Sequence, residues 1–223
     1  MGFVARLAVL VMYAALVAGP GATTRAAAAQ ARTRAAPANL AAAQTPPSAS
    51  FAQITGRTST PWGWLDFCDR YQDECAGGPS APADIELNPK VWALIKKVNE
   101  QVNHSIRPMA DMDHWGVIDQ WDLPLDGYGD CEDYALMKRH ILIAQGLPRQ
   151  ALLMTVVKDE NGEGHAILTV KTDHGEFILD NMREHVMPWE ALPYVFVKRQ
   201  SQADPDVWEQ IGAPTPAPLT VSR

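Results

Sequence analysis

With 223 residues, 47% apolar and 20% charged, the chain has the composition of a globular protein and the length for one domain with a full hydrophobic core. A formal charge of −7 and a sequence pI near 5.3 exclude a general nucleic-acid binder, which would present a basic face.

Taken in chain order, Met1–Arg6 carries one positive charge, Leu7–Ala18 is an unbroken apolar run, and Gly19-Pro20 with the alanines at 26–29 and 31 follows. A charged start, a short apolar centre and small residues predict a cleaved secretory signal over 1–31 and a periplasmic protein. The apolar run is too short to cross a bilayer, which takes roughly 20 residues. Residues 32–50 are Ala, Pro, Thr and Gln with few large apolar groups and predict a flexible linker. The folded part is then 51–211, and 212–223 reads as a disordered tail of the same character. Of three cysteines, Cys68 and Cys75 lie close enough to close a small loop, the economical disulfide for an oxidising compartment. Cys131 is left over as a free thiol that needs an explanation.

Asn88-Pro89 offers a helix cap followed by proline at the first helical position, and Val91, Leu94, Ile95, Val98, Val102 and Ile106 recur at helical spacing until Pro108. A second helix is predicted from Asp130 to about Ala144, stopped by Gly146 and Pro148. Three short β-prone runs follow, Leu152–Val157, His165–Val170 and Phe177–Asp180, with turns at Asn161-Gly162 and His174-Gly175. Helices first and an antiparallel meander after them give an α+β fold.

The chemistry concentrates where the second helix begins. If Asp130 is the N-cap, Cys131 takes the first helical position, where unpaired N–H groups and the positive end of the helix dipole favour the thiolate. The same N–H groups can receive the oxyanion of an acyl-transfer intermediate. Gly127-Tyr128-Gly129 lets backbone approach closely, while the carboxylates of Asp130, Glu132 and Asp133 oppose a thiolate and require a neutralising partner. A four-residue turn at Thr172–Gly175 pairs Lys171 with Glu176 and sets His165 opposite Met182. Asp180 then falls on the same face, as a diagonal neighbour roughly 7–8 Å away between Cα atoms. Imidazole and carboxylate then share a hydrogen bond, making a base for the thiol. A three-residue turn would put them on opposite faces.

Between Pro108 and Met137 there is no Lys or Arg, while Asp111, Asp113, Asp119, Asp122, Asp126, Asp130, Glu132 and Asp133 accumulate. Oxygen-rich clusters attract calcium. Asp111–Asp122 mimics an EF-hand loop, but Trp115 stands where a short ligand belongs, Asp122 replaces the bidentate glutamate, and Leu123-Pro124 starts no exit helix. His104, His140, His174 and His185 read as surface or capping residues, with His114 left open. The tryptophans read as core.

Gly129-Asp130-Cys131-Glu132-Asp133-Tyr134-Ala135, preceded by Asp119-Gln120-Trp121 and followed by Gly146-Leu147-Pro148, resembles the bacterial transglutaminase-like cysteine proteinases. Gly164-His165-Ala166, Leu179-Asp180-Asn181 and the paired-cysteine segment add to the likeness, which covers roughly Thr60 to Ile211. The resemblance implies a papain/transglutaminase-like fold and a triad of Cys131, His165 and Asp180. Its LapG-type members imply calcium at Asp130 and Glu132, with Asp133 a weaker candidate. They also imply a protein substrate such as a large surface adhesin, cut near paired alanines, and an inner-membrane receptor for cyclic di-GMP. Hydrolysis of peptides is the leading expectation. The same triad serves a transglutaminase or amidase transferring to an amine, and a calcium-responsive adaptor with a vestigial site is a third reading.

Overall fold

The computed structural model describes residues 45–214, 216–218 and 220–221. The expected signal segment, and the linker up to residue 44, lie outside the described residues.

Among the described residues, nine strands, five α-helices and two short 3-10 turns follow one another in the chain. The centre is β4 (Leu152–Lys158) beside β5 (Gly164–Thr172), antiparallel in register from Leu152↔Val170 to Lys158↔Gly164. On one side follow β6 (Gly175–Leu179) and β7 (Met187–Pro188); on the other, β8 (Val195–Gln200), β9 (Trp208–Ile211) and β1 (Ile54–Thr58). Every neighbour in this seven-stranded sheet is antiparallel. The two central strands are buried along nearly their whole length, as expected of strands covered on both faces.

One face carries the main core. There α1 (Trp62–Arg70), α3 (Pro89–Ser105) and α5 (Cys131–Ala144) bring Phe67, Ile95, Val98, Leu136 and Leu142 against Met154, Val156, Leu168 and Phe177. Trp64, Trp121 and Trp208 meet edge to face at 6.3–6.4 Å between centroids, each such contact adding about 0.5–1.5 kcal/mol beyond area burial. The opposite face is covered by a smaller cluster of Val157, Ile167, Ile178, Leu192 and Tyr194.

Local signals act as the sequence predicts. The Asn88 carboxamide oxygen accepts the N–H groups of Lys90 and Val91, and Pro89 opens α3. The Cys68–Cys75 disulfide joins α1 to α2 (Gln72–Cys75), and Cys131 is free. A two-stranded parallel ribbon, β2 (Arg107–Pro108) and β3 (Tyr128–Gly129), ties the end of α3 to the segment entering α5, with the single turn of α4 (Asp111–His114) in the connection. That ribbon sets where α5 begins.

Two regions differ from the sequence expectation. The polar run of β8 has Lys198, Arg199 and Gln200 buried, so its strand period is hidden; Arg199 meets Glu176 at 2.7 Å. The expected linker and tail also touch the domain where they are described. Ala49 N–H donates to His174 O at 2.8 Å and Glu176 N–H to Ser50 O at 3.1 Å, while the side chain of Val221 enters the main core. Backbone hydrogen bonds and one apolar anchor order segments whose composition lacks large apolar groups.

Candidate active site

Cys131 is the first residue of α5, directly after the N-cap Asp130. The helix start is pinned by Asp133, whose carboxylate accepts the N–H of Asp130 at 3.3 Å and that of Asp122 at 2.7 Å. Gly129 must be glycine for this: a Cβ there would stand 2.5 Å from Asp133 Oδ2. The Ala166 N–H points at Cys131 Sγ from 3.4 Å, and the thiol donates to Glu132 Oε2 at 3.1 Å. A backbone donor and a carboxylate acceptor thus both engage the sulfur and fix its position.

His165 stands near the start of β5, one residue before that donor. The hairpin register is the expected one, Lys171↔Glu176 with Thr172↔Gly175 closing the turn. It brings Asp180 onto the face of His165, and His165 Nε2 lies 2.8 Å from Asp180 Oδ1. The other carboxylate oxygen accepts the Tyr194 hydroxyl at 2.7 Å, and the Met182 N–H donates to Oδ1 at 2.9 Å. The Tyr194 ring also meets His165 edge to face at 5.8 Å. Burial works against the His165 cation, but the bond to Asp180 and the bond and charge of Cys131 outweigh it, raising the imidazole to about 10. Asp180 is likewise opposed by burial, yet held below the usual carboxylate range by His165, the Met182 N–H and Tyr194. The imidazolium is thus the favoured form at neutral pH, beside a sulfur held at a helix N-terminus.

On its other side Cys131 meets the acidic cluster. Asp111, Asp130, Glu132 and Asp133 are all buried. Oxygens of Asp111, Asp130 and Asp133, and of Asp111, Asp119 and Glu132, lie within 4.8 Å of one another, and Asp130 and Glu132 group with the thiol in the same way. Burial, with mutual repulsion adding, pushes Asp111 and Asp119 up to about 6, Asp133 up to about 9, and Glu132 well above its ordinary value. Glu132 Oε1 and Asp111 Oδ1 are buried without a hydrogen-bond partner. Hard carboxylate oxygens, crowded and unsatisfied, fit a divalent cation of the calcium kind.

The structure brings together all five residues singled out from the sequence, Cys131, His165, Asp180, Asp130 and Glu132. It adds three that were not: Tyr194, which no local motif marks, and Asp111 and Asp119, which were visible only as part of an acidic run. The EF-hand likeness does not survive folding. Asp111 and Asp119 turn toward Glu132, while Asp122 is taken by Arg70 at 3.0 Å and by the Tyr71 hydroxyl. His114 bonds Asp126 at 2.8 Å and stacks on Trp115.

A thiol at a helix start, an imidazole–carboxylate pair on an antiparallel sheet and a mixed helix–sheet architecture define the class of transglutaminase-like thiol enzymes. The family model of bacterial transglutaminase-like cysteine proteinases matches residues 54–215, and the chain belongs to that family of cysteine peptidases. Among solved structures it is similar to the LapG of Legionella pneumophila. The calcium-bound form is 24% identical over 57% of this chain and 74% of that one, with a TM-score of 0.47. The EGTA-treated form is 27% identical over 49% and 62%, with a TM-score of 0.43, and a further LapG structure 27% identical over 49% and 63%, also at 0.43. This chain therefore spans about three fifths of the latter two. No curated protein matches it.

Proposed function

We propose that this chain is an exported cysteine endopeptidase in which Cys131 is the nucleophile, His165 the base and Asp180 the group that orients the base. The observation carrying this reading is the 2.8 Å bond between His165 and Asp180 beside the only free thiol of the chain, itself at a helix start. With the thiol's proton already resident on His165 as the imidazolium, the thiolate attacks a peptide carbonyl, and the first-turn N–H groups of α5 receive the oxyanion. The imidazolium then protonates the departing amine, and water hydrolyses the thioester. Asp180, held by Tyr194 and the Met182 N–H, keeps the imidazole in one orientation throughout.

Asp130 and Glu132, with Asp111 and Asp119, would hold calcium; when bound, the cation offsets the carboxylate charge crowding the sulfur. Periplasmic residence is supported by the order of residues 1–31 and by the Cys68–Cys75 disulfide, which persists in oxidising compartments. The family resemblance points to a large surface adhesin as substrate, with release from biofilm as the consequence, and to a cyclic-di-GMP receptor as a sequestering partner. Wild type and Cys131→Ser are incubated with the organism's surface proteins and new N-termini are sequenced. Cleavage by wild type alone is expected; identical fragments from both would remove Cys131 from the chemistry.

A further inference from the structure

In the full chain the reacting groups are closed off. Cys131 is 1% and His165 0% exposed, so no peptide carbonyl reaches the sulfur in this state. The C-terminal segment, which the proposed chemistry does not use, lies beside the residue that precedes His165 and beside Asp119. At Gly164, the residue before His165, an added Cβ would stand 2.1 Å from the carbonyl oxygen of Thr220 and 2.8 Å from Pro218 Cβ. Only glycine permits that approach of backbone to backbone. The next residue, Val221, donates its N–H to Asp119 Oδ1 at 3.4 Å. The Asp119 carboxylate belongs to the cluster that contains Glu132, beside the nucleophile. Val221 itself is 4% exposed and sits in the main core. Ala217, Pro218, Thr220 and Val221 line a groove of about 250 Å³ together with Trp62 and Lys198.

The segment's chemistry suits such a place. Prolines at 214, 216 and 218 restrict its backbone freedom, and residues 213–222 carry no charged side chain. An uncharged, proline-rich segment whose backbone lies beside the residue preceding the base at Thr220, and whose Val221 N–H bonds a carboxylate near the nucleophile, has the attributes of a bound peptide. It is tethered, so it competes at high effective concentration.

We propose that residues 216–218 and 220–221 occupy the peptide-substrate groove of this enzyme as part of an intramolecular competitor, and that the groove takes uncharged segments of small, proline and β-branched residues. This rests on the cysteine-peptidase reading. Displacing the segment is what opens Cys131 to a substrate.

The test uses the full chain, wild type against Val221→Asp and Pro218→Asp. Each variant places a carboxylate against Asp119 or Gly164, and Pro218, only half-buried, carries the test should Val221→Asp lose a cooperative melt. Two quantities are read: the rate of Cys131 alkylation by iodoacetamide near neutral pH, and hydrogen exchange of the backbone amide at position 221. Alkylation is expected to rise about tenfold as the open population grows, with faster amide exchange. A synthetic peptide of residues 214–223, added to either variant, should slow alkylation again. Equal alkylation in all three proteins, with a reactive wild-type thiol, overturns the competitor. Faster exchange at position 221 with Cys131 inert throughout instead removes the nucleophile, and the groove falls with it.

Discussion

Two buried polar regions flank Cys131, and they answer the cost of burying charge in opposite ways. His165, Asp180 and Tyr194 form a chain in which each charge faces its complement, at 2.8 and 2.7 Å, so imidazolium and carboxylate are both favoured. Asp111, Asp119, Glu132 and Asp133 instead gather beside Asp130, like charge against like, and burial favours the protonated acid at those four. The first region completes itself from its own side chains. The second is completed by protons or by a cation from outside, which makes it the place where conditions can govern the site.

The largest expected effect comes from breaking the self-complementary side. Asp180→Asn keeps the shape but removes the charge that holds the His165 cation, and should lower kcat/KM by about ten-thousandfold, as loss of an orienting carboxylate does in other triads. A pH–rate profile measured alongside should show the basic limb moving down from near 10, where burial is overcome by Asp180 and Cys131. Unchanged kcat/KM would mean Asp180 does not orient the base.

The acidic side is sharpened by metal. Calcium at a hundredfold excess over its Kd should add about 2.7 kcal/mol to unfolding, or roughly 5–10 °C in Tm for a domain of this size. Glu132→Gln should abolish most of that gain while leaving the fold, and identical melting in calcium and EGTA for wild type would rule out a site there.

In EGTA the same cluster should set a pH slope. Asp111 and Asp119 are raised by burial to about 6 and Asp133 to about 9, so the native state binds protons that the unfolded chain has released. The stability they contribute is fully present below their unfolded values, near 4, and is lost as pH rises through about 6 and then about 9. Urea midpoints should therefore fall from pH 4.5 to pH 8 in EGTA and hold steadier with saturating calcium. His165, also raised, has its contribution fully present below pH 6.5 and loses it progressively toward about 10, so the two regions overlap above pH 6.5 and the fall between pH 4.5 and 6 belongs to the acidic cluster alone.

The smallest effect concerns a charge that neither region absorbs. Lys138 lies on α5, its ammonium buried without a hydrogen-bond partner; burial lowers it to about 7, against a weaker pull from Asp180. The unfolded chain takes up a proton there between pH 10.5 and 7 that the native state refuses, so stability falls as pH drops through that window. Lys138→Met should stabilise by roughly 1–2 kcal/mol at pH 7 and converge on wild type near pH 10.5.

Much of the site was legible because short-range chemistry encodes it. Asp130 caps α5 and so puts Cys131 at its first turn, and the Thr172–Gly175 turn sets a register in which His165 and Asp180 share a face. The capped α3 and the meander of β4, β5 and β6 follow from the same kind of signal, a cap, a turn or a period that each segment carries within itself. What was hidden is hidden for a physical reason. The charged side chains of Lys138 and Arg139 are buried because β4, β5 and α3 pack against α5, and no local signal in the helix marks those positions as core.

By itself, then, the sequence determined α3, α5 and the meander of β4, β5 and β6, with the side chains at their starts and turns, since those depend on neighbours within a few residues. Only the tertiary structure decided that Tyr194 bonds Asp180, that Asp111 and Asp119 join Glu132, and that Thr220 lies on Gly164. These contacts join segments that differ widely in their distance along the chain, and no local propensity records a partner that arrives only when the core closes.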